Sequence, residues 1–185
     1  MYQIEIRVEY EGEVGPLPTS RMTEAIQALL DEHDVSRDSA MTVLIAADDY
    51  VRDLNRQFRG VDAATDVLSF PAEADDDSFA PPDWIDPEDT DPPYLGDLVI
   101  AYPYTVHQAT ELKHVLDDEL TLLVIHGTLH LLGYDHDNVE RQDEMWALQS
   151  ELLAKMNVPI IVPRFTFEDS TDDTSHDHRA QYPNT

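Results

Sequence analysis

Three histidines fall within eleven residues, at His126, His130 and His136, in the run Ile125-His126-Gly127-Thr128-Leu129-His130-Leu131-Leu132-Gly133-Tyr134-Asp135-His136. Helix positions four apart share a face about one turn apart, so His126 and His130 can meet the same metal ion. Gly133 lets the chain turn back and can bring His136 to a third corner. Three neutral nitrogens leave the fourth tetrahedral position open to water, the mark of a catalytic rather than a structural ion. The ordinary reading of any one of these residues is a hydrogen-bonded surface or core histidine. Three of them, in an otherwise apolar helix cut off by a glycine, favour the metal. Zinc fits such a set, although three imidazoles also accept nickel, cobalt or copper.

The neighbours narrow the reaction. Metalloproteases of the H-E-x-x-H type carry a glutamate after the first ligand as general base, and here that place is Gly127. Asp135 can orient an imidazole, hold a water or merely cap a turn. Arg52, Arg56 and Arg59 form a positive stripe at spacings of four and three. They are either a phosphate-binding face or solvated arginines paired with Asp48, Asp49 or Asp53. The chain has no cysteine, which removes disulfides, thiolate metal sites and cysteine nucleophiles. His107 and His114 read as ordinary polar positions, and Asp66 and Asp97 as cleft residues or turn caps.

The elements that must hold these residues follow from periodicity. Ile4, Ile6 and Val8 alternate with charged residues as in a half-buried strand. Met22, Ala25, Ile26, Leu29 and Leu30 then mark a helix from Ser20. Further strands are expected at Met41–Ala46, Val67–Phe70 and Asp97–Tyr102. Further helices are expected at Ala47–Arg59, stopped by Gly60, and at Val106–Lys113, begun after Pro103. Two more follow: an apolar one over Asp117–Leu132, and an amphipathic one over Val139–Met156 carrying Met145, Leu148, Leu152 and Leu153. The mixture predicts an α/β (α+β) single domain, a sheet packed against helices with the metal site at the end of a central apolar helix.

The chain has 185 residues, and 39 Asp and Glu against 11 Lys and Arg give a formal net charge of −28. That excess argues against bare electrostatic attraction to nucleic acid or anionic lipid. Two segments hold much of it. Residues 72–94 contain nine acids, five prolines and no base, and read as an insertion between strands; residues 168–185 contain five acids. The expected plan is one domain over 1–160, interrupted by that insertion, and an acidic, disordered tail over 161–185. His176 and His178 fall in the tail, and Trp84 and Tyr94 in or beside the insertion, where they could dock onto the body or a partner. No secretory signal pattern opens the chain and no stretch reaches the roughly 20 apolar residues of a membrane span, so a cytoplasmic protein is expected.

Taken together, H-G-x-L-H-L-L-G-Y-D-H over 126–136 resembles the signature of the YbeY family of metal-dependent endoribonucleases, or rRNA maturation factors. Leu54-Asn55-Arg56-Gln57-Phe58-Arg59-Gly60, Thr65-Asp66-Val67-Leu68-Ser69-Phe70-Pro71 and Leu95-Gly96-Asp97-Leu98-Val99-Ile100 are similar to its other blocks in the same order. The resemblance spans Ile4 to Met156. It implies an α/β fold with one zinc on His126, His130 and His136, and a functional arginine at Arg59. It also implies single-strand-specific endoribonuclease activity on the 16S ribosomal RNA 3′ end and a part in ribosome quality control, with precursor ribosomal RNA and ribosomal proteins as partners. The competing expectation is a non-catalytic ribosome assembly factor with a structural zinc. A third is a hydrolase of another substrate using the same site. The length and acidity of the 72–94 insertion, and the acidic tail, depart from the family pattern.

Overall fold

The computed structural model describes residues 1–72 and 93–162. Most of the acidic insertion with Trp84, and the tail with His176 and His178, lie outside the described residues. The elements run β1 (Gln3–Val8), α1 (Thr19–Glu32), β2 (Ala40–Ala46), α2 (Asp48–Arg59), β3 (Val67–Pro71), β4 (Tyr94–Ala101), α3 (Tyr102–Leu112), α4 (Leu116–Leu131) and α5 (Val139–Lys155). The strands order β1-β2-β4-β3, with β1, β2 and β4 parallel and β3 antiparallel on the edge beside β4. This is the α/β architecture expected from the sequence.

Strand side chains alternate between two cores, as a period of two requires. Met41, Val43, Ile45, Leu98 and Ile100 face a large cluster with the apolar stripes of α1, α4 and α5. Leu44, Ala46, Leu68, Phe70, Val99 and Ala101 face a smaller one closed by Val51 and Leu54 of α2. Helix α4 is buried along most of its length, which explains its apolarity on every side. No helix among the described residues is long and apolar enough to cross a membrane.

Two boundaries differ from expectation by more than one residue. Strand β4 starts at Tyr94, three residues early, because its ladder to β2 continues past an irregularity between Tyr94 and Gly96. The Gly96 φ of +132° suits glycine, and a Cβ there would lie 2.2 Å from the Phe70 carbonyl oxygen. Helix α3 starts at Tyr102 rather than Val106, with Pro103 inside its first turn, where no backbone N–H is needed.

Gly127 sets the height of α4 over the sheet. A Cβ at this position would lie 2.8 Å from Leu98 Cδ2 and 3.3 Å from Ser69 Oγ, so only glycine lets the helix come this close. Ser69 then donates to the Gly127 carbonyl at 3.2 Å. The residue standing where a protease keeps its base is thus a contact with the sheet.

Candidate metal centre

His126 and His130 lie in the last turns of α4. Beyond it the chain reverses through Gly133, whose φ of +89° falls in the left-handed region. Gly133 and Tyr134 donate back to the carbonyls of His130 and Leu129. The Tyr134 hydroxyl meets His33 Nε2 at 3.1 Å, pinning the turn to the end of α1. In this way His136 returns to the other two histidines, and the ligand atoms of all three lie within 4.8 Å of one another.

The ring orientations are set from outside. His130 Nδ1 donates to the Tyr134 carbonyl at 2.9 Å, and His126 Nδ1 to Gln149 Oε1 at 3.0 Å. With both Nδ1 atoms protonated, the two Nε2 atoms of neutral rings are bare acceptors, yet they face each other at 3.2 Å. Two lone pairs at that range repel unless a cation lies between them. Nitrogens on one tetrahedral zinc, with bonds near 2.0–2.1 Å, stand about 3.3 Å apart. His136 stacks on His126 with centroids 5.6 Å apart, and Trp146 of α5 closes the floor, 5.5 Å from His136 and 6.0 Å from His126.

Electrostatics keep His126 and His130 neutral. Burial, with the neighbouring His126 and His136, pushes His130 down to about 3. Burial likewise pushes His126 below the ordinary histidine range, reinforced by His136 and Arg59 and opposed by the Asp66 carboxylate and the Gln149 hydrogen bond. Unprotonated imidazole is the form a metal needs. The three side chains therefore fit a divalent ion by distance, and His126 and His130 also by tautomer and by charge, so the set could hold one.

The arginine stripe divides. Arg52 pairs with Asp62 at 2.7 Å, and Arg56 with Asp53 at 2.7 Å. Arg59 is exposed and makes no ion pair or hydrogen bond among the described residues, while its charge reaches His126. Paired arginines thus describe two of the three.

Asp135 takes the turn role: Oδ1 accepts from the His136 backbone N–H at 2.7 Å. Asp66 caps the start of β3, accepting from the Val67 N–H at 2.8 Å and from Gln108 Nε2 at 3.2 Å, with its charge felt at His126. Asp97 lies within β4 and accepts from the Tyr94 hydroxyl at 2.6 Å. His107 is an exposed partner of Glu111, but His114 is not an ordinary polar position. It meets the fully buried Glu119 at 2.6 Å, and Glu119 also accepts from Gln108 at 2.9 Å.

Gln149 and Trp146 escaped sequence reasoning. A signal was there: Met145, Gln149, Leu152 and Leu153 recur at helical spacing, and a glutamine inside a buried stripe needs a reason. Its Oε1 serves His126, whereas its buried Nε2 has no partner among the described residues.

A family described as Endoribonuclease YbeY matches residues 9–157. A protein named endoribonuclease YbeY from Limosilactobacillus fermentum is 38% identical over 151 residues, covering 82% of this chain and 95% of the relative. Another of that name from a Roseiflexus species is 42% identical over 136 residues, 73% of this chain and 81% of the relative. A solution structure of a Thermotoga maritima protein aligns with a TM-score of 0.49 at 26% identity, over 84% of this chain and 89% of that one.

Proposed function

The chain belongs to the YbeY endoribonuclease family, and from that premise we propose that it is a zinc-dependent endoribonuclease cutting single-stranded ribosomal RNA precursors. Its place is the maturation of the 16S 3′ end and ribosome quality control in the cytoplasm, with the ribosome and its proteins as partners. The observation that carries the reading is the pair of facing Nε2 acceptors, 3.2 Å apart, with unpaired Arg59 in electrostatic reach.

His126, His130 and His136 would hold one zinc, and the chemistry it supplies when bound is Lewis acidity toward water and phosphate oxygens. The rest belongs to the chain. Gln149 and the Tyr134 carbonyl hold two rings in the tautomer that presents Nε2. Arg59 grips a phosphate through two N–H groups and offsets the charge that grows on its non-bridging oxygens as phosphorus is attacked. Attack by the neighbouring 2′-hydroxyl leaves a 2′,3′-cyclic phosphate and a 5′-hydroxyl. Attack by water leaves a 5′-phosphate and a 3′-hydroxyl, so end analysis of the products separates the routes.

The test is cleavage of structured and unstructured RNA by nuclease-free, zinc-loaded wild type, His130→Ala and Arg59→Ala. Cleavage by the wild type alone supports the reading, with Arg59→Ala down about 100-fold or more in kcat at unchanged melting temperature. Equal cleavage by all three means contamination and returns the chain to a non-catalytic assembly factor. The acid excess favours that alternative, since it suits basic ribosomal proteins better than RNA.

A further inference from the structure

The last turn of α2 breaks the polar pattern of its outer face. Arg52, Asp53, Arg56 and Gln57 are exposed as expected, but Phe58 leaves 61% of its surface in water, more than any other aromatic side chain among the described residues. It is a fixed ring all the same. It meets Phe70 of β3 edge to face, with centroids 5.2 Å apart and planes at 71°, and Phe70 is itself anchored in the smaller core. The next residue is Arg59, the member of the arginine stripe with no acidic partner among the described residues.

The size and company of this patch select its occupant. A protein partner needs roughly 800 Å² per side, far more than one ring and the neighbouring Val61, 40% exposed, can offer. A flat aromatic unit carrying an anion fits both halves: a π-face for Phe58 and a phosphate for Arg59. Every nucleobase has such a face, and it is free only where the base is not already stacked in a duplex.

We propose that Phe58 is a stacking platform for an unpaired base adjoining the phosphate held by Arg59, so that the Phe58–Arg59 pair selects single-stranded over duplex RNA. This rests on the endoribonuclease reading for the identity of the substrate, but binding can be measured apart from cleavage. Base–aromatic stacking contributes to affinity without reading sequence, so the preference is for strandedness rather than for a particular base.

The experiment uses the full chain with Phe58→Leu, which keeps an apolar contact for Phe70 but removes the aromatic face, and Phe58→Trp, which restores it. Binding of a fluorescent single-stranded oligoribonucleotide, a duplex of equal length and a fully abasic strand of equal length is measured at low salt. Cleavage kinetics are recorded alongside. The expected result is a roughly tenfold loss of single-strand affinity in Phe58→Leu, recovery in Phe58→Trp and little change for duplex. A fully abasic strand should abolish the difference between Leu and Phe. In cleavage the loss should fall on KM with kcat nearly unchanged. Single-strand binding by Phe58→Leu equal to wild type, equal loss on duplex, failure of Phe58→Trp to rescue, or no RNA binding by wild type would each overturn the proposal. Normal cleavage with an indifferent Phe58→Leu sinks the platform alone; base-dependent binding without cleavage sinks the enzyme reading alone.

Discussion

Gln149 carries two loads of opposite sign. Its Oε1 fixes the His126 ring, while its Nε2 is buried without a partner among the described residues, a cost of about 1–3 kcal/mol. Gln149→Leu should therefore lower zinc affinity about 10- to 100-fold, read by chelator competition, while the metal-free protein melts no earlier than wild type. Gln149→Glu should tighten zinc, because a carboxylate accepts the His126 N–H more strongly and removes the orphaned amide. The histidines also set an acid limit. A ring held neutral when folded and near 6.5 when unfolded contributes stability that is intact above that pH and erodes below it, as the unfolded chain takes up protons. For His130 the window runs from about 6.5 down to about 3, at about 1.4 kcal/mol per pH unit. Denaturant melts of the metal-free protein at pH 7.5 and 5 should show the loss, and His130→Asn should flatten it.

At the scale of elements, α4 positions the centre because it lies against β3 and β4, and Gly127 permits that approach. Gly127→Ala gains about 1 kcal/mol of helix propensity but forces a methyl against the fully buried Leu98, which costs about 1–3 kcal/mol. A net destabilisation of about 1 kcal/mol in thermal melts is expected, with weaker zinc binding as His126 shifts. Apolar patterning was enough to place every strand and helix: most bury one stripe or alternate across the sheet, and α4 is apolar all round because it is buried. Exceptions arose where a residue type had two uses. Gly96 lies inside β4 beside a ladder irregularity, and Pro103 sits within the first turn of α3 instead of before it. At the centre, local spacing was enough to bring His126, His130 and His136 together. Gln149 and Trp146 reach the centre from α5, and Asp66 joins Gln108 from 42 residues away, so no short motif announces them.

Across the whole molecule, charge decides how RNA can be held. Arg52 and Arg56 are spent on Asp62 and Asp53, which leaves Arg59 against a net charge of −28. Affinity should be low and, with one phosphate neutralised, the slope of log K against log salt should be about −0.7 for a single strand. A slope near −5 in salt titrations would mean a basic surface that the described residues do not contain. Stacking on Phe58 matters more in such a protein than in a basic nuclease, because it is insensitive to counterions.

The activity stands or falls with one cation on three imidazoles and a vertex left to solvent. X-ray absorption at the zinc edge of the loaded full chain tests it most directly. The expected spectrum has one zinc per chain, three histidine nitrogens near 2.0–2.1 Å and a single further light atom. A fourth ligand from the protein, fewer than three imidazoles, or an unchanged spectrum in His130→Ala would contradict it.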